Sequence, residues 1–146
     1  MAELIGAETR VYKRLLDEVE TFVGFMAEQE PSVALRVAIP NVGFEPTTYP
    51  YLDVQDFSAD GAGPTLGPLK NISGVFQVTI IQRRNAGIID VKELASRLLT
   101  VFAKGNRFYD DDLCVTIHQQ ANERPPIYED NEVRVPITIP YRAYRR

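Results

Sequence analysis

A chain of 146 residues, 45% hydrophobic and 25% charged, has an ordinary globular composition and enough length to bury a core of its own as a single domain, 1–146. A formal net charge of −4 and a pI of about 5.0 argue against binding to a nucleic-acid backbone as its main task, since that needs a basic surface. The one cysteine, Cys114, excludes an internal disulfide framework, and no apolar run approaches the roughly 20 residues that span a bilayer. The opening MAELIGAETR lacks the charged start and apolar centre of a secretory leader, so none is expected.

Met1 to Glu30 reads as a helix. Val11, Leu15, Val19, Phe22 and Met26 recur at spacings of three and four, and Tyr12, Leu16 and Val23 widen the stripe. The opposite face carries Arg10, Lys13, Arg14, Asp17, Glu18 and Glu20, as expected of an amphipathic helix lying on a sheet. Gly24 inside it costs roughly 1 kcal/mol against Ala, a cost that close packing would explain. Pro31 ends the element.

Val33 to Ile39 alternates as a strand and stops at Pro40. The segment from Pro40 to Pro50, with three prolines and a glycine, is expected to be a structured turn region. Tyr51 to Phe57 is a second strand. Ser58 to Asn71 holds three glycines and two prolines and is expected to be a long hairpin loop and a contact element. Ile72 to Arg84 follows. Ile72, Gly74, Phe76, Val78 and Ile80 make one nearly apolar face, while Val75, Gln77, Thr79 and Ile81 make a mixed one, so this strand is expected in the sheet interior.

Asn85 to Lys104 is a second helix, with Val91, Leu94, Ala95, Leu98 and Phe102 on its stripe and Gly105 as its stop. Leu113, Val115 and Ile117 form a strand, and Gln119 to Asn131 is polar and turn-rich. In the last strand, Glu132 to Tyr144, Val133, Val135, Ile137, Ile139 and Tyr141 line one face. Pro136 and Pro140 share a parity, so their missing N–H groups point to one side, which predicts an edge strand. The order is α-β-β-β-α-β-β. Two amphipathic helices and one sheet predict an α+β, two-layer fold with both helices packed on one face.

Catalytic signals are weak. His118 stands alone, without a partner at metal-ligand spacing, and reads as a surface or interface histidine. Cys114 reads as a small structural thiol. Asp110, Asp111 and Asp112 could hold a hard cation, but their spacing is not that of a calcium loop and a solvated turn accounts for them better. Arg142, Arg145 and Arg146 make a small basic end. No enzyme, metal or organic cofactor is expected.

Four segments together resemble a known family. IPNVGFEPTTYPYLDV (Ile39 to Val54), SGVFQVTII (Ser73 to Ile81), VKELASRLLTVFAKG (Val91 to Gly105) and VRVPITIPYRA (Val133 to Ala143) are similar, in that order, to the tail terminator proteins of long-tailed bacteriophages, small minor tail proteins like that of lambda. The resemblance implies a mixed, mostly antiparallel sheet flanked by helices. It implies a virion protein at the head-proximal end of the tail, assembled in the host cytoplasm. There a hexameric ring of the chain caps the tube, ends its growth and forms the surface for head–tail joining. Implied partners are the chain itself, the major tail tube protein and the head–tail connector protein, with DNA only passing through the lumen and no membrane. A neighbouring connector or neck ring protein is the alternative, and a small α/β ligand-binding domain a further one.

A closed ring needs two unlike faces on each subunit. One is expected to include Arg134, Pro136, Thr138 and Pro140 of the last strand, the other Phe44 and Tyr49 of the proline-rich turn. Asp60, Gly61, Thr65, Leu66 and Lys70 of the long loop are the expected tube contacts.

Overall fold

The computed structural model describes residues 7–28, 35–39, 49–59, 72–85 and 89–145, with the backbone alone at 7, 8, 58, 59, 89, 90 and 145. Ten elements follow in order: α1 (Ala7–Ala27), β1 (Val37–Ala38), β2 (Tyr51–Ala59), β3 (Ile72–Arg83), α2 (Ile89–Val101), β4 (Arg107–Asp110), β5 (Leu113–Thr116), β6 (Asn122–Glu123), β7 (Ile127–Tyr128) and β8 (Glu132–Arg145). The fold is α+β, with two helices and a mixed, curled sheet. Its strands run β1-β2-β3-β8-β5-β4, and β6 and β7 also pair with β8. β1 and β2 are parallel, and the other pairings are antiparallel.

The apolar stripe of α1 is buried as its spacing requires: Val11, Leu15, Val19, Phe22 and Met26 join one cluster with Val91, Leu94, Ala95, Leu98 and Phe102. The same cluster takes Ile72, Phe76, Val78 and Ile80 from β3 and Val133, Val135, Ile137, Ile139 and Tyr141 from β8. Phe76 is its hub. The ring of Tyr12 meets it edge-on at 6.4 Å, and the ring of Phe102, just past α2, lies 6.1 Å away. The Tyr141 hydroxyl, inside the core, donates to Asp56 Oδ1 at 2.8 Å, so the phenol is not left unpaired.

β3 is an interior strand, between β2 and β8, as its two-faced alternation predicts. The edge expectation for the last strand is overturned. β8 pairs with β3 along twelve positions, and its other side is covered in short pieces by β5, β6 and β7. The prolines do share a side. Arg124 N–H donates to the Pro136 carbonyl at 2.8 Å, so Pro136 turns its backbone polar side away from β3. The missing N–H groups therefore fall on the interrupted ladder, and the continuous ladder to β3 loses nothing. The predicted element order is also short of the observed one. β4, β6 and β7 are additional, and β6 and β7 arise within the polar stretch from Gln119 to Asn131. The first strand is only Val37–Ala38 rather than Val33 to Ile39; residues 33 and 34 lie outside the described ones, and so do most of the Pro40 to Pro50 turn and the loop from 60 to 71.

The aspartate run forms the two-residue turn of the β4–β5 hairpin, with Asp111 in the left-handed region at φ 55°. It is held by α1. Arg10 Nε contacts Asp110 Oδ2 at 3.1 Å, and Arg10 Nη2 donates to the Asp110 carbonyl at 2.7 Å and to Asp112 Oδ1 at 2.9 Å. Arg14 Nε donates to the Tyr109 carbonyl at 2.8 Å, with its guanidinium 5.5 Å from the centre of the Phe108 ring. At this exposure each ion pair adds about 1 kcal/mol or less, so their effect is to fix the hairpin's position. Gly105 takes φ 94°, which suits the stop after α2.

Two stability measurements follow from this packing. Phe76→Ala removes the hub ring and is expected to lower the unfolding free energy by about 3–5 kcal/mol in a denaturant titration. Gly24 is exposed, and a Cβ there would meet nothing within 4 Å, so close packing does not explain it. Gly24→Ala is expected to raise stability by about 1 kcal/mol; a loss instead would mean that the position is constrained in some other way.

Candidate assembly surface

Alternation puts Arg134, Pro136, Thr138 and Pro140 on the face of β8 opposite the core, opposite Ile81, Thr79, Gln77 and Val75 of β3. β2 continues these rows with Tyr51, Asp53, Gln55 and Phe57. Burial falls off along this open face. Tyr51, Ile81, Thr79 and Pro136 are buried, while Val75, Gln77, Thr138 and Pro140 are half-buried and Phe57 is 53% exposed. Pro136, expected as an interface residue, is therefore already covered within the chain.

Of the residues expected at the ring interface, the structure brings Tyr49 and Arg134 together around Glu132. The hydroxyls of Tyr49 and Tyr51 donate to Glu132 Oε2 at 2.9 and 3.3 Å, and Arg134 Nη2 donates to its other oxygen at 3.3 Å. Arg134 also reaches Asp53 at 3.9 Å. Its Nε lies 3.1 Å from Glu129 Oε1, an ion-pair contact off the hydrogen-bond direction. Arg83 lies over the Tyr49 ring at 5.5 Å. The Tyr49–Pro50 peptide is cis. Beside this cluster runs an open cleft lined by Tyr49, Arg84, Asn85, Asp130 and Asn131. Thr138 and Pro140 lie farther along β8, and Phe44, Asp60, Gly61, Thr65, Leu66 and Lys70 lie outside the described residues.

The titration behaviour follows from the packing. Burial, then the charge of Glu132, pushes the Tyr51 phenol up to about 12. The hydrogen bond to Glu132, then burial, raises Tyr49. Burial raises Asp53, partly offset by Arg134. Glu132, Tyr51 and Asp53 were not foreseen as site residues, because no spacing rule joins positions about eighty residues apart.

Elsewhere the surface offers little chemistry. His118 is half-buried, its Nδ1 has no partner among the described residues, and burial, then Arg142, lowers its pKa. Cys114 is buried, 3.6 Å from the Thr116 hydroxyl. Among the described residues no three His, Cys, Asp or Glu side chains converge on a metal position, and no helix is long and apolar enough to cross a membrane. Arg142 is exposed on the open face.

The phage tail terminator protein family matches residues 14–141. The chain belongs to this family. As a tail terminator family member it is a structural component of a phage tail, located in the virion and assembling with other tail parts, and the family is not one of enzymes. No functionally curated protein matches it. Among solved structures, one chain superposes with a TM-score of 0.68 at 21% identity, over 88% of this chain and 94% of its own length, which supports the fold.

The Glu132 cluster can be tested by titration. A group whose folded pKa is raised stabilises the fold fully below its unfolded pKa, about 10 for tyrosine, and that contribution is lost as pH rises through about 12. Tyr51→Phe is expected to remove one late phenol from an alkaline absorbance titration. Glu132→Gln, which keeps the burial but removes the charge, is expected to make Tyr51 ionise earlier. An unchanged titration in both variants would rule out this arrangement.

Proposed function

We propose that this tail terminator family member caps the tail tube as a hexameric ring of identical subunits, ends tube growth and supplies the surface for head–tail joining. The observation that carries this reading is the family match over residues 14–141. In this reading the fold is two-layered, with both helices on one face of the sheet, so that the opposite face is left to neighbours. Ring contacts draw on Arg134, Thr138 and Pro140 of that face together with Tyr49 and Phe44, and the 58–71 segment, through Asp60, Gly61, Thr65, Leu66 and Lys70, meets the tube. The partners are the chain itself, the major tail tube protein and the head–tail connector protein. A net charge of −4 agrees with a lumen that lets DNA slide.

The test is to mix the protein with tubes growing from the major tail protein of the same phage and image their ends. One added ring at one end, with tubes stopped short, is the expected result. A chain lacking Gly61 to Gly67 should keep its fold and lose capping. Tubes that grow past unchanged would overturn termination, and binding to the connector instead would make the chain a neck protein.

A further inference from the structure

We propose that the open face of the sheet binds the outer face of α1 from a second copy of the chain. Two rows of side chains cross this face side by side. Phe57, Val75 and Pro140 stand opposite one another as an apolar row, with Phe57 53% exposed. In the next row Arg142 stands opposite Thr116, and Thr116 opposite Arg107, and both arginines are exposed. No ion pair joins either guanidinium to a carboxylate among the described residues. Arg107 has Tyr109 as a hydrogen-bond partner, a neutral phenol that leaves the cation uncompensated. Asp110 and Asp112, in the same hairpin, are engaged by Arg10.

The outer face of α1 has the opposite character. From Leu15 to Glu28 the chain carries no Lys or Arg, and Asp17, Glu20 and Glu28 are exposed. The last turn of the helix has no basic residue, so Glu28 stands uncompensated at the negative end of the helix dipole. Gly24 and Phe25 share this stripe by their spacing from Asp17, Glu20 and Glu28. Phe25 is 49% exposed, and the bare backbone at Gly24 lets a neighbour approach closely beside it. The two surfaces match in length. Phe25 to Asp17 spans about 12 Å along a helix, and three strand spacings, from Val75 to Arg107, span about 14 Å. Phe25 on the apolar row therefore brings Glu20 and Asp17 within reach of Arg142 and Arg107. The inner stripe of α1 is in the core and the open face is the reverse side of β3, so one chain cannot join its own two surfaces. The contact is between copies and between unlike faces, as a ring needs. It rests on the ring reading above only for closure of the ring.

Sedimentation of the full chain across a concentration series at low salt, with no tail tube present, is the test. The parent chain is expected to associate, and less so at high salt. Arg107→Glu with Arg142→Glu, and separately Asp17→Arg with Glu20→Arg, are each expected to need at least tenfold higher concentration to associate. Mixing these two variants, or placing all four changes in one chain, is expected to restore association, because the reversed charges again meet opposites. Gly24→Gln, which a helix favours over Gly, should keep the fold and weaken association. Circular dichroism checks that each variant folds. A parent that stays monomeric, variants that associate as the parent does, or a mixture that does not recover would each overturn the contact. So would a sheet-face variant that keeps self-association but loses binding to DNA or to the tail tube protein. Tubes still capped when the variants associate unchanged would sink this contact and leave the ring reading standing; capping that fails while the parent associates as expected would sink only the capping.

Discussion

The register between β3 and β8 is the constraint on which the molecule depends. Twelve paired positions, from Ile72–Ala143 to Arg83–Glu132, fix which side chains of both strands enter the core. Because the side-chain period is two, a slip of one residue would carry Ile137 and Ile139 to the open face and put Arg134 and Thr138 into the core. Burying an unpaired charge in that way costs far more than any surface contact of this chain can return. Phe76 lies opposite Ile139 in the middle of this ribbon, with the rings of Tyr12 from α1 and Phe102 from just past α2 beside it.

What was legible in the sequence is what this constraint writes locally. The alternation of Ile72 to Ile81 placed β3 inside the sheet, and the stripes of α1 and α2 named their buried residues. The outcome at β8 separates two inferences. Proline parity reports the side on which an N–H is missing, and that side was read correctly. It does not report whether a neighbour stands there, and three short strands do. β6 and β7, two residues each, leave no hydrophobic period to read, since they exist through backbone pairing to a strand already in place.

The polar clusters were illegible for a different reason. Glu132 receives Tyr49 and Tyr51 from β2 and its approach, and Asp110 receives Arg10 from a helix a hundred positions earlier. Only the sheet order brings these segments together, and no sequence spacing encodes it. The aspartate run shows the partial case. Its character as a turn was readable, whereas its partner was not. In both clusters charge serves position more than energy, because partly solvated pairs return about 1 kcal/mol or less each. The Glu132 cluster ties the entrance of β2 to the start of β8, and the Arg10 cluster ties α1 to the far hairpin.

The open face sets a limit on assembly. Among the described residues, where it is apolar and accessible it offers little beyond Phe57, Val75 and Pro140, with Gln77 and Thr138 between them. A stable interface takes roughly 800 Å² and 20–30 residues per partner, more residues than this strip offers among the described ones. Copies meeting through it alone would part at low concentration. A ring of the kind proposed would draw on further surfaces as well, since a closed ring requires unlike contacts on each subunit.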